Sequence, residues 1–158
     1  MEPEEPHRCK ILFAVKNPGN EAESETMWAQ HVEGDIYKLD NVPLLAFGVA
    51  LNDTLVATPS TIHRWPVFRE VLEHSGHSTY RILVPRDRDL SSAEAAWKGL
   101  EQLGCGREKS SDYHWAVTVP PEADRASVDK ILDDGVSGLV WHVEDGYIHP
   151  LPEASASG

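Results

Sequence analysis

The periodicity of the chain changes at one place, and that place limits what the whole can fold into. Trp65-Pro66-Val67-Phe68-Arg69-Glu70-Val71-Leu72-Glu73 and Thr79-Tyr80-Arg81-Ile82-Leu83-Val84 are rich in β-branched and aromatic residues. Between them stands His74-Ser75-Gly76-His77-Ser78, with no large apolar side chain. This reads as strand, tight turn, strand. Gly76 can take the positive φ of such a turn, and Ser75 and Ser78 can bond their own backbone. Tyr80, Ile82 and Val84 share one face of the second strand, with Thr79 and Arg81 on the other. Leu83 lies on the face of Arg81, which predicts partial cover for the guanidinium. Upstream of this hairpin the chain reads as short strands; downstream, strand and helix alternate. The hairpin is therefore expected to join two parts of one folded unit, residues 10–78 β-rich and residues 79–150 mixed.

Upstream, Lys10–Val15 is a strand, broken by Asn17-Pro-Gly-Asn20. Thr26–Val32 and Ile36–Leu39 form a hairpin about Glu33-Gly34-Asp35. Pro43 opens a predicted short helix through Phe47. Thr54–Thr58 is a further strand, stopped by Pro59. Short strands at this spacing predict a small curled sheet or partial barrel. Residues 1–9, acidic and proline-bearing, and the Pro/Ala/Ser-rich residues 151–158 are expected to be disordered.

Downstream, Ser91-Ser92-Ala93-Glu94 has the form of a capping box, with Leu90 and Ala95 as a hydrophobic staple. Ala93, Ala96, Trp97, Leu100 and Leu103 line one helix face, and Gly104 stops the helix. Gly106–Lys109 is a short strand. Tyr113, Trp115, Val117 and Val119 alternate with His114, Ala116 and Thr118, as a strand with one buried face does. Asp124 caps a second helix, with Val128, Ile131 and Leu132 inward and Gly135 at its end. Leu139–Val143 is a last strand, and Asp145-Gly146 reads as a turn. The order βαββαβ is the ferredoxin-like plan. The predicted class is α+β: a β-rich partial barrel packed on a ferredoxin-like half. Trp97 and Trp115 fit core positions by phase; Trp28, Trp65 and Trp141 are not placed by it.

Charge narrows the partners. The net charge is -12, with 6 Lys/Arg against 12 Asp/Glu up to Ser75 and 8 against 14 beyond it. Neither part carries the clustered cations that phosphate binding draws on, so nucleic acid and anionic membrane are not expected partners. A basic protein or a cationic small molecule suits the overall field. Cys9 and Cys105 make no disulfide framework, and a reducing cytoplasm is the expected compartment. The first residues lack the charge and apolar run of a signal peptide. No apolar run reaches the roughly 20 residues of a membrane span.

Several fragments look familiar in combination: Met27-Trp28-Ala29, Tyr37-x-Leu-Asp-Asn-x-Pro43, Phe47-Gly-Val-x-Leu-x-Asp53, Ser75-Gly-His-Ser-Thr-x-Arg81 and Leu103-Gly-Cys-Gly106. In this order, over roughly residues 10 to 145, the chain resembles a bacterial family known as a domain of unknown function, DUF4265. The resemblance implies a bacterial origin and no mechanism.

The chemistry-bearing residues gather near the turn. His74-x-x-His77 has two imidazoles, but zinc needs further ligands, and His63, Asp53, His142 and His149 stand at no diagnostic spacing. No metal or other cofactor is expected. Ser75 or Ser78 beside His77 has the residue types of a serine–base pair, without the nucleophile elbow. Cys105 lacks the helix N-terminus that would activate it. Acid–base work by His77 with Asp53, in a pocket walled by Trp28, Tyr37, Phe47 and Trp65, needs no nucleophile. The ordinary alternative is a turn whose hydroxyls satisfy backbone groups, beside aromatic residues that are simply core. The leading expectation is a cytoplasmic binding protein whose acidic surface meets a basic partner, as suits an inhibitor or immunity-type role. Trp28, Trp65, His74 and Arg81 are its candidate binding residues. The alternative is a small cofactor-independent enzyme using His77, Asp53 and Ser78 between the two halves. A structural or oligomerising module is a third.

Overall fold

In a computed structural model describing residues 7–16 and 22–151, the first five strands close on themselves in the order β1-β2-β3-β4-β5. β1 (Arg8–Lys16) and β2 (Ala22–Glu33) pair antiparallel, with Lys10 opposite Trp28. β3 (Ile36–Leu39), β4 (Thr54–Thr58) and β5 (Val67–Glu73) continue the antiparallel meander. A short parallel contact of Leu12 with Val67 joins β5 to β1. Because side chains alternate along a strand, Ile11 and Phe13, Met27 and Ala29, Leu55 and Ala57 all point inward and are buried. Phe13 stacks on Phe68 with ring centroids 4.7 Å apart.

The rest of the chain is β6 (Ser78–Leu83), α1 (Leu90–Gln102), β7 (Gly106–Ser111), β8 (His114–Val119), α2 (Arg125–Ser137) and β9 (His142–Tyr147). Its strands form an antiparallel sheet in the order β7-β8-β6-β9. Both helices cover one face, where Tyr80, Ile82, Trp115 and Val117 meet Trp97, Leu100, Val128 and Leu132. Trp97, Trp115 and Trp141 touch edge to face, each neighbouring pair with centroids 6.2 Å apart, the arrangement ring quadrupoles favour. Three of the five tryptophans are thus core. The α+β class follows from this division.

Several local expectations are corrected. The stretch Trp65–Val84 is not a hairpin: β5 pairs with β4 and β1, β6 with β8 and β9. Gly76, at φ +100°, turns the chain from one sheet to the other and is so close to Pro121 that a Cβ there would lie 3.0 Å from its Cβ. No helix forms over residues 43–47. The Glu25 carboxylate instead accepts the N–H groups of Leu44, Leu45 and Ala46 at 2.8, 3.1 and 2.9 Å, and a five-residue helix would have to repay a costly nucleus without them. The capping box is displaced: Asp89 is the N-cap, accepting from the Ser91 N–H, while Glu94 pairs with Arg107 and Lys109. Gly135 lies inside α2, where the Trp141 indole packs so close that a Cβ would overlap it. The last strand starts at His142, and Asp145-Gly146 is a bulge within it. Of residues 1–9, expected to be disordered, Arg8 and Cys9 instead belong to β1, paired with Gln30 and Ala29; residues 1–6 and 152–158, and the break at 17–20, lie outside the described residues.

The second face of the four-stranded sheet is also buried, against expectation. Thr79, Arg81, Ala116 and Thr118 are each covered. The connection from Asp40 to Asp53 lies over this face and ties barrel to sheet: Thr79 Oγ1 donates to Val49 O at 3.1 Å and Gly48 N–H to Gly146 O at 3.0 Å.

Candidate functional site

The seam is built around two buried polar side chains. Asp53 is fully buried; its Oδ2 accepts the Ala50 N–H at 2.9 Å and meets His74 Nδ1 at 3.0 Å, and its Oδ1 accepts the Ser75 N–H at 2.8 Å. A buried carboxylate needs such partners. Ser75 Oγ donates to Leu51 O at 2.6 Å and accepts the His77 N–H at 3.2 Å. The polar turn therefore spends its hydrogen bonds across the seam. Arg81, fully buried rather than partly covered, is the second: its Nε donates to Glu144 at 2.7 Å and its Nη1 to Ala46 O and Pro43 O, with the Phe47 ring 4.6 Å away. Glu108 completes the join by accepting from Asn41 Nδ2 and the Val42 N–H.

The histidine partnered by Asp53 is His74, not His77. Since the carboxylate accepts, Nδ1 of His74 donates to it. The ring is also held by stacking on Tyr147, with centroids 4.2 Å apart and planes 9° from parallel. His77 places Nδ1 3.1 Å from Thr118 Oγ1, and burial holds its imidazole below the ordinary range, against the opposing pull of Glu122 and Asp53. Both rings line a cleft of about 400 Å³ together with Lys38, Asn52, Thr54 and Glu73. On the other side of the turn, Gly76, Pro120, Pro121, Arg125 and His149 line a second cleft of about 400 Å³.

The remaining candidates do not join this group. Ser78 is fully buried, and its Oγ accepts from Arg125 Nη2 at 2.8 Å and from the His149 N–H at 2.9 Å. Its lone pairs are thus engaged by donors, and among the described residues no imidazole is bonded to it. Trp28 and Trp65 stand on the outer wall of the barrel, Phe47 lies over Arg81, and Tyr37 packs against His31, so the expected aromatic pocket does not form. Burial pushes the Cys105 thiol up to about 11, far from the range of a nucleophile. Among the described residues no three His, Cys, Asp or Glu side chains lie together as metal ligands. Tyr147, Arg125, Glu25 and Glu108 are absent from the sequence reading. No local motif marks them, because each acts on residues far away in the chain.

The fold is similar to that of a solved structure described as a novel crystal structure of a hypothetical protein from Neisseria gonorrhoeae, with a TM-score of 0.79 over 94% of this chain and 100% of that one. At 15% identity the likeness is one of fold. No curated protein matches the chain. No helix among the described residues is long and apolar enough to cross a membrane. The family model of the domain of unknown function DUF4265 matches residues 25–143, the span that holds Asp53, the polar turn and Arg81, and the chain belongs to that family.

Proposed function

We propose that the protein is a binding protein that takes a cationic ligand, or a basic segment of a partner, in the cleft beside the Ser75–Gly76–His77 turn. The observation that supports this most is the Asp53–His74 contact: a buried carboxylate fixes one imidazole, which shares an open polar cleft with His77 and Glu73. Pre-set acceptors in a concave seam suit recognition, and a net charge of -12 draws cations toward them. The same contact favours a second reading, acid–base catalysis without a cofactor, in which Asp53 orients His74 as the base and His77 is a second proton carrier. We read the helical unit as ferredoxin-like, on the support of its βαββαβ order and its strand order β7-β8-β6-β9. A cytoplasmic setting accords with free Cys9 and Cys105.

Titration with oligolysine and with spermine, followed through the imidazole NMR signals of His74 and His77, tests the binding reading. Both signals are expected to shift, and Glu73→Lys to weaken binding about tenfold. His77→Ala is expected to leave affinity nearly unchanged. Unmoved imidazole signals would remove the cleft as the binding site. A substrate whose turnover vanishes in His74→Ala, with the fold retained, would establish the catalytic reading instead.

A further inference from the structure

A second surface, independent of the seam, stands on the barrel's outer wall. Lys10 on β1 and Trp28 on β2 are opposite one another and share the outward face. Arg8 lies 4.9 Å and Lys10 5.2 Å from the centre of the Trp28 ring. The same Lys10 lies 5.6 Å from the Trp65 ring, over which Arg64 sits at 4.7 Å. Two indoles and three cations thus interleave where β5 closes onto β1. Trp28 remains 38% exposed, although an indole is among the most favourable groups to bury. Exposed tryptophan beside arginine is what interface centres are enriched in.

The charge of this patch runs against that of the molecule. Among the described residues its one ion pair is Arg8 with Asp40, at 3.1 Å, while Lys10 and Arg64 have no carboxylate partner. The cations are held by the rings beneath them and keep donors for an incoming anion. That arrangement favours carboxylates over nucleobases. A base stacks on a bare aromatic face, and here the rings already carry the protein's own cations. We infer that this wall docks an acidic segment of another protein, with its carboxylates on Lys10, Arg64 and Arg8 and its apolar side chains against the indole edges.

The test uses the full chain with labelled tryptophans and a short oligo-glutamate peptide. The indole N–H signals of Trp28 and Trp65 are expected to shift, with those of Trp97, Trp115 and Trp141 unmoved as internal controls. Lys10→Glu is expected to weaken the peptide about tenfold, and added salt to weaken it further. Arg64→Ser, in a loop, provides the same readout should Lys10→Glu disturb the barrel. The proposal is overturned by unmoved Trp28 and Trp65 signals, or by equal shifts with oligo-glutamine. Tighter binding of oligothymidylate at the same indoles would assign the wall to nucleic acid instead. Self-association that Lys10→Glu abolishes would assign it to a second copy of this chain.

Discussion

The four-stranded sheet buries both of its faces, and it does so by opposite means. On one, Tyr80, Ile82, Val84, Trp115, Val117 and Val119 meet two amphipathic helices in an apolar core. On the other, Thr79 and Arg81 are covered by a connection without regular structure, through directed polar bonds, and Thr118 meets His77. The apolar face gains from area removed from water, which depends little on orientation. The polar face gains only while each donor finds its acceptor, because an unmet buried group is costly. One face stabilises; the other fixes how barrel and helical unit meet, and hence the shape of the clefts beside the turn.

The contrast is open to attack on each side, most strongly on the apolar one. Trp115→Ala removes the indole between Trp97 and Trp141 and is expected to cost about 3–5 kcal/mol. Urea unfolding should then show a lower midpoint for the entire molecule. Arg81→Met keeps apolar bulk but strands Pro43 O and Ala46 O and releases Glu144, which is 47% exposed and can return to water. A loss of about 2–3 kcal/mol is expected. It should be local: amide exchange should quicken over residues 41–53, with α1 and α2 still protected. Quickening spread evenly over the molecule would show that the two faces form a single cooperative core.

The same contrast decides what could be read from the sequence. The apolar face announces itself: Tyr113 to Val119 alternates, Ala93, Trp97 and Leu100 recur at helical spacing, and neither pattern needs knowledge of the partner. The polar face has no such signature. His74-Ser75-Gly76-His77-Ser78 is turn-like in composition, yet its bonds run to Asp53 and Leu51, more than twenty residues away. The short helix expected at 43–47 failed for a related reason, since Glu25 and Arg81 take up the backbone groups that a helix would pair. Gly135 reads as a helix end and Gly146 as part of a turn, but both are places of close approach, to Trp141 and to Arg81. The structure brings Asp53, His74 and His77 near one another and leaves Ser78 apart. Their pairing, His74 rather than His77 with Asp53, depends on which side of a buried turn each ring leaves, and no spacing rule states that.

The smallest effect is the one most specific to the polar face. Burial lowers the His77 imidazole from its ordinary 6.5, and the Glu122 and Asp53 charges only partly oppose this. A base whose folded form holds its proton less tightly than the unfolded form loses stability on acidification. Between its lowered folded value and 6.5 the unfolded chain binds more protons, so stability should rise with pH across that window and level off above it. His77→Gln keeps a polar group near Thr118 Oγ1 but cannot titrate. The difference in unfolding free energy between the two proteins should therefore change through this window and become constant above it. Parallel pH profiles for the two proteins would mean that the seam leaves His77 open to water, and the contrast between the two faces would then end at Thr118.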